Sequence, residues 1–139
     1  MAVDVAAATP DDGDWLAARD DHIMPAWVAH GIARGEYLIA RVDGARVGFL
    51  RFAWFWRAIP YMELIRVTDS EQRKGIGTAL VRRWEANMRA KGAELLMTSS
   101  MSDEPEPQAW HRRNGFVESG GLTFGHLQAT PEVFFVKRL

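Results

Sequence analysis

The run Val67-Thr68-Asp69-Ser70-Glu71-Gln72-Arg73-Lys74-Gly75-Ile76-Gly77-Thr78-Ala79-Leu80 decides how the rest of the chain is read. It starts on an apolar residue fit to end a strand, crosses a polar and charged stretch, and enters a helical repeat through Gly75-Ile76-Gly77. Ile76, Leu80, Trp84 and Met88 recur at helical spacing with Val81 beside them. Gly75 to Lys91 is therefore expected to be an amphipathic helix, with Gly92 placed to end it. A helix start presents backbone N–H groups without partners and the positive end of the macrodipole. Glycines there let a diphosphate approach the backbone, and Arg73 and Lys74 add positive charge at the same point.

Two other phosphate-binding loops fail on spacing. A Walker loop needs Gly-x-x-x-x-Gly-Lys-Ser/Thr, and the chain has no such run. A dinucleotide fingerprint needs Gly-x-Gly-x-x-Gly, but Leu80 stands where the third glycine belongs. The pattern the segment does satisfy is Gln/Arg-x-x-Gly-x-Gly/Ala, through Gln72, Gly75 and Gly77.

Outward from this loop the chain alternates strands and helices. Val3 to Ala7 reads as a short edge strand, and Thr9-Pro10-Asp11-Asp12 as the start of a helix reaching about Ile23. Pro25 breaks that helix, and a second one is expected from Ala26 to Ala33. Tyr37 to Val42, Asp43-Gly44 and Arg46 to Trp54 read as a β-hairpin. Pro60 punctuates before a strand from Tyr61 to Val67. Leu95 to Ser99, Phe116 to Val117 and Glu132 to Lys137 are further strands, with a loop and short helix between Glu104 and Asn114. The expectation is a single α/β layered domain over residues 1–139.

Composition narrows the classes of function. The 139 residues are 47% hydrophobic and 25% charged, as in ordinary globular chains. A formal charge of -1 gives no field for recruiting nucleic acid or an anionic membrane. With no cysteine, a disulfide framework, a thiolate metal site and a cysteine nucleophile are excluded. His22, His30 and His126 lack carboxylates at ligand spacing, so no metal is expected. Ser99, Ser100 and Ser102 carry no Gly-x-Ser-x-Gly elbow. No basic leader or long apolar stretch is seen, and the expected location is the cytoplasm.

Gln72-Arg73-Lys74-Gly75-Ile76-Gly77 resembles the acetyl-CoA loop of the GNAT acetyltransferase superfamily. Val67 stands five positions before Gln72, where that family ends a strand on a hydrophobic residue. Trp110-His111-Arg112-Arg113-Asn114-Gly115-Phe116 is similar to its aromatic-Tyr-x-x-x-Gly-Phe pattern, except that His111 replaces the tyrosine. The chain also resembles one bacterial subgroup of the family, in Phe52 to Pro60, in Met97 to Ser100 and in the ending Lys137-Arg138-Leu139. The resemblance covers essentially the whole chain and is weakest before residue 35. It implies a GNAT fold: a mixed, mostly antiparallel sheet of about six or seven strands, splayed at its centre and flanked by about four helices.

The resemblance also implies roles. Acetyl-CoA would lie with its pantetheine arm along the backbone of Ile65, Arg66 and Val67. Its diphosphate would take the N–H groups of Gln72, Arg73, Lys74, Gly75, Ile76 and Gly77, with Thr78 adding a hydroxyl. Arg112 and Arg113 are open either to the adenosine phosphate or to solvent. The reaction implied is direct transfer of an acetyl group from the thioester to an amine. Glu63 is the candidate base, on one strand face with Ile65 and Val67, whose N–H would stabilise the oxyanion. The alternative for Glu63 is a structural hydrogen bond. His111 is the candidate acid for the thiolate, since imidazolium near its reference pKa of about 6.5 can protonate a thiolate of about 8.5. Its alternative is an exposed residue that only touches the cofactor.

A small-molecule or peptide amine is the implied acceptor, drawn by Asp20, Asp21 and Glu36 and walled by Trp54, Phe55 and Trp56 unless these are core. No nucleic acid or membrane partner is expected, and a homodimer is the form that family analogy suggests. The competing class is an acyl-CoA-binding module without catalysis, to which the replacement of tyrosine by His111 points.

Overall fold

The computed structural model describes residues 2–139. Its strands are β1 (Val3–Ala7), β2 (Tyr37–Val42), β3 (Ala45–Phe55), β4 (Ile59–Val67), β5 (Leu95–Met101), β6 (Val117–Leu122) and β7 (Glu132–Arg138). The α-helices are α1 (Gly13–Arg19), α2 (Pro25–Ala33), α3 (Ile76–Ala90) and α4 (Pro105–Arg113). The strands run in the order β1-β2-β3-β4-β5-β7-β6. The β4–β5 pair is parallel, whereas β1–β2, β2–β3, β5–β7 and β6–β7 are antiparallel. By internal contacts the chain groups into two compact units, Met1–Phe52 with Leu64–Trp84 and Ala53–Glu63 with Glu85–Leu139.

In the first unit the β2–β3 hairpin turns at Asp43 and Gly44, both at positive φ (50° and 79°). That two-residue turn matches the twist of the strands it joins. Its inner face supplies Tyr37, Ile39 and Phe49, which bury with Leu16 of α1 and Val28 of α2. The edge strand, the hairpin and α2 follow the sequence expectation closely. Helix α1 does not: it ends at Arg19, short of Ile23, because Asp20 leaves helical geometry at φ -90° and ψ 83°. The Asp20 carboxylate turns inward, where Oδ2 accepts from Tyr37 Oη at 2.6 Å and from Arg51 Nε at 2.7 Å. A buried carboxylate held by a cation outweighs the weak helix preference of the residues that follow. Pro25 is then the first residue of α2, a position where its missing N–H costs nothing.

Helix α3 buries Ile76, Leu80, Val81, Trp84 and Met88, the stripe read from the sequence. Gly92 closes it at φ 87°, where a Cβ would be strained. In the second unit β5 alternates cleanly: Leu96, Thr98 and Ser100 are buried, while Leu95, Met97, Ser99 and Met101 stay partly open. β4 begins at Ile59, so Pro60 lies inside the strand rather than ahead of it. β6 starts at Val117 and runs to Leu122, longer than the expected Phe116–Val117 pair. Its pairing with β7 skips Ser119, and pairing resumes at Gly120, whose φ is 131°.

A second buried acid anchors the start of α1. Asp12 accepts from Thr9 N at 2.8 Å, Arg41 Nη2 at 2.6 Å and Arg46 Nε at 2.7 Å. Burial alone would raise its pKa, but the Thr9 N–H, the Arg46 hydrogen bond and the charges of Arg41 and Arg46 together hold it below the usual carboxylate range. Asp12→Asn should therefore destabilise the fold by about 2–3 kcal/mol near neutral pH, less than a wholly buried pair because both arginines keep some water contact. A carboxylate with a depressed folded pKa stabilises above its unfolded value and loses that stabilisation as pH falls through the folded one. Urea titration should accordingly show the gap between wild type and Asp12→Asn closing below about pH 4; a gap independent of pH would mean that the charge is not its source.

Candidate functional site

The loop between β4 and α3 is built by local bonding that occupies the Glu71 N–H with Thr68 O at 2.9 Å and the Gln72 N–H, at a long 3.4 Å, with Asp69 O. Thr68 N bonds Val47 O at 2.8 Å, which fixes the end of β4 against β3. A single 3₁₀ turn, Asp69–Glu71, follows. The Gln72 side chain folds back to donate to Val67 O at 3.2 Å and Asp69 Oδ1 at 3.3 Å. Arg73 then adopts φ 63° and Gly75 φ 82°, two left-handed residues around Lys74. This conformation costs Arg73 strain and Gly75 nothing, and a side chain at Gly75 would meet no atom within 4 Å. Gly75 O accepts the first helical bond, from Ala79 N at 3.0 Å, so the amides of the opening turn of α3 have no acceptor within the helix. Gln72, Arg73, Lys74 and Gly75 are all exposed. Lys74 is tethered to Glu71 at 3.3 Å. The result is a helix start whose opening amides have no helical acceptor, with the exposed Arg73 and Lys74 beside it, a geometry suited to an anion.

Gly48 of β3 sets how closely β4 can lie. A Cβ on it would sit 2.8 Å from Arg66 O and 3.4 Å from Val67 Cγ2. Beside this contact a cleft of about 370 Å³ opens, lined among others by Trp15, Arg19, Asp21, Gly48, Arg66 and Val67. Arg66 crosses it to meet His22 Nε2 at 2.9 Å and Asp21 at 3.3 Å. Of the acids expected to attract an amine, Asp20 is committed to Arg51 in the core. Asp21 shares Arg66, and Glu36 lies 3.6 Å from Arg34. The aromatic group divides as well. Trp54 is half-buried on β3, while Phe55 at the strand's end and Trp56 on the turn after it are exposed, with ring centroids 4.8 Å apart.

In the second unit Glu63 stands exposed on β4. His111 of α4 is buried, with Nε2 2.9 Å from Ser100 Oγ. Its ring packs against Phe135 at 5.4 Å and Phe116 at 6.2 Å. Nδ1 is buried with no hydrogen-bond partner. Burial pushes the imidazole down to about 4, against a smaller opposing pull from the Ser99 backbone. Near neutrality the ring is therefore uncharged, and the imidazolium considered from the sequence is a minor species. Nor is His111 an exposed helix residue. Arg112 pairs with Glu118 at 2.8 Å, and Arg113 is exposed. The Ser99 and Ser100 side chains point to opposite faces of β5, and of the two hydroxyls that of Ser100 reaches His111.

One polar cluster was not assembled from the sequence. Tyr61 Oη lies 2.6 Å from Ser99 Oγ, Ser99 Oγ donates to Glu132 Oε2 at 2.6 Å, and Gln128 Nε2 donates to Glu132 Oε1 at 2.9 Å. Strand alternation could have put Tyr61 with Glu63, but β7 was needed to bring in Glu132. Among the described residues no group of three His, Cys, Asp or Glu is placed to hold a metal ion, and no helix is long and apolar enough to cross a membrane.

The sequence matches the family model "Acetyltransferase (GNAT) family" over residues 6–116. The chain belongs to the GNAT acetyltransferase family. Solved structures share its fold at low identity. Ard1 from Thermoplasma volcanium is 17% identical, with a TM-score of 0.86 over 100% of this chain and 99% of that one. The ribosomal-protein-alanine N-acetyltransferase from Brucella melitensis is 20% identical, with a TM-score of 0.82 over 98% and 99%. The yncA protein from Salmonella typhimurium, solved with its cofactor acetyl-CoA, is 17% identical, with a TM-score of 0.81 over 100% and 95%. No curated protein matches the chain in sequence.

The neutral His111 has a thermodynamic consequence. Its folded pKa of about 4 lies below the ordinary 6.5, so between those values the unfolded chain binds the extra proton. Stability should be full above about pH 6.5 and fall by up to about 3 kcal/mol as pH drops toward 4. Denaturant titrations across that window should show this slope in the wild type and a flatter one in His111→Phe. Equal slopes would assign the acid sensitivity to another group.

Proposed function

We propose that the chain is an acetyl-CoA-dependent N-acetyltransferase, one domain over residues 1–139, that moves an acetyl group to an amine by direct attack in a ternary complex. The observation that carries this reading is the opening of α3, where left-handed Gly75 and the exposed Gln72-Arg73-Lys74 turn surround backbone amides that the helix does not use. Family membership supports the acetyl group as cargo, and the acetyl-CoA bound to the yncA protein supports the cofactor. The acceptor of the Brucella relative, a ribosomal protein's alanine, supports a peptide or small-molecule amine.

In this reading the N–H groups of Gln72, Arg73, Lys74, Gly75, Ile76 and Gly77 hold the diphosphate, with the Thr78 hydroxyl beside them. The backbone of Ile65, Arg66 and Val67 carries the pantetheine arm. Acetyl-CoA supplies an activated acyl thioester. Glu63 takes a proton from the acceptor ammonium, and the Val67 N–H stabilises charge on the acyl oxygen. His111, the candidate acid, is a neutral buried ring with Nε2 on Ser100, so it would have to leave that contact to donate an N–H to a developing thiolate, and it holds no spare proton at neutral pH. The place of action is the cytoplasm. A second reading, an acyl-CoA-binding module with little or no catalysis, is favoured by one observation, the buried and uncharged His111 where the family carries tyrosine.

Thiol release from acetyl-CoA across polyamines, amino acids, aminoglycosides, arylamines and short peptides decides between them. Amine-dependent release is expected, and it should be lost in Gly75→Asp. That variant places a carboxylate at the diphosphate and a Cβ at φ 82°, and it should weaken acetyl-CoA binding by about tenfold or more. Binding of acetyl-CoA without release to any amine would favour the module.

A further inference from the structure

Converting an ammonium to a secondary amide removes two protons from the nitrogen, and Glu63 accounts for one. Resting on the transferase reading, we propose that Tyr61, Ser99 and Glu132 form the relay that removes the other, so that the acceptor is an amine presented as its ammonium ion.

The polarity of the chain follows from hydrogen counting. A serine hydroxyl has one hydrogen, and Ser99 gives it to the Glu132 carboxylate at 2.6 Å. At the 2.6 Å contact between Tyr61 and Ser99 the tyrosine must therefore be the donor. All the hydrogens point the same way, from Tyr61 to Ser99 to Glu132. A phenol oxygen that donates its hydrogen keeps lone pairs and can receive a proton from outside. Gln128 fixes the far end: its amide donates both to Thr130 O at 2.8 Å and to Glu132 Oε1 at 2.9 Å. With Oε1 held, Oε2 is the oxygen turned to Ser99.

The position fits the role. Tyr61 and Glu63 are two residues apart on β4 and share a face by alternation. Ser99 lies on the partly open face of β5, and Tyr61, Ser99 and Glu132 are each half-buried, shielded enough to hold short bonds yet within reach of water. Tyr61 is further fixed by its ring contact with Phe134 of β7 at 6.1 Å. Strand alternation brings Glu63 of β4 and, at the far end of β7, Arg138 to this face. Beside Ser99, β5 adds the apolar Leu95, Met97 and Met101, and β6 sets Leu122 opposite Glu132.

The transfer balances. Tyr61 Oη accepts a proton from the acceptor nitrogen as its own hydrogen passes to Ser99 Oγ, and the Ser99 hydrogen passes to Glu132 Oε2. The nitrogen spends its electron pair on the new C–N bond as the C–S bond breaks, coenzyme A departs as the thiolate, Glu132 becomes a carboxylic acid, and that half-exposed acid returns the proton to water, from which the thiolate can take it up. Tyr61 is the catalytic residue, because it meets the amine; Ser99, Glu132 and Gln128 are positioning residues.

Two measurements test the relay. The first needs no turnover. The chain has two tyrosines, Tyr37 and Tyr61, so ring-carbon NMR of tyrosine labelled at Cζ gives two resonances, assigned with Tyr61→Phe. The Tyr61 resonance should shift as a carboxyl titrates, and the shift should vanish in both Glu132→Gln and Ser99→Ala. The second is the pH profile of kcat with an amine that supports thiol release. Glu132→Gln should lower kcat by about tenfold to a hundredfold and remove the acidic limb, with KM for acetyl-CoA unchanged. Pairing it with Tyr61→Phe should add little. A Tyr61 resonance indifferent to Glu132, or a Glu132→Gln enzyme with wild-type kcat and profile, would overturn the relay. Wild-type silence toward every amine would instead sink the transferase reading, and the wiring would then stand or fall on the resonance alone.

Discussion

A turn of helix whose amides have no partner is tolerated only if the rest of the helix is held firmly. In α3 that hold is the stripe from Ile76 to Met88, in which Leu80, Val81 and Trp84 are wholly buried. Each large apolar side chain taken from water contributes about 1.5–3 kcal/mol, so the stripe together outweighs the roughly 1–3 kcal/mol of strain in one left-handed arginine. The exposed Gln72 to Gly75 turn is thus carried by the packing behind it. The same packing reaches back into the sheet, because a Cβ on Gly48 would meet Ile76 Cγ2 at 3.5 Å as well as Arg66 O at 2.8 Å. Strand end, loop and helix start are set together by contacts that involve no ligand.

Two buried carboxylates do comparable work around α1. Asp12 at its start and Asp20 at its end are each sequestered and each held by arginine from the β2–β3 hairpin. Burying a carboxylate without such partners would cost several kcal/mol. α1 can therefore dock on the hairpin in one register only, the one that brings Asp12 to Arg41 and Arg46 and Asp20 to Arg51. This constraint also removes Asp20 from any role in drawing an amine.

What the sequence made legible follows from the range of the interactions. The Asp43-Gly44 turn, the α3 stripe and Gly92 are set by neighbours within a few residues, and the structure agrees with their reading. The Gln72 to Gly77 loop is local too, yet of its two left-handed residues only Gly75 is a glycine, and nothing in the spacing announced the left-handed Arg73. The missed features depend on partners far along the chain. α1 ends early because of Arg51, thirty-one positions from Asp20. His111 looked exposed because its α4 neighbours Arg112 and Arg113 are; its burial is created by Phe116, Phe135 and Ser100. Tyr61, Ser99 and Glu132 come from three strands, and the parallel step from β4 to β5 cannot be registered from pattern alone.

The state of His111 bears on how a proton can move in such a protein. A tyrosine hydroxyl in a dry pocket stays protonated at neutral pH, and so does a neutral imidazole on one nitrogen; neither is a strong acid. The difference lies in what holds them. His111 Nε2 is engaged by Ser100, and Nδ1 is buried with no hydrogen-bond partner, so the ring gains little from taking a charge and is poorly built to shuttle one. Tyr61 and its partners have the opposite construction, with each hydrogen directed to a better acceptor and a carboxylate at the end. A single sheet strand, β5, carries both arrangements, Ser100 turned to the buried ring and Ser99 to the open chain. Alternation by one residue separates a group locked in its neutral state from one wired to accept a proton.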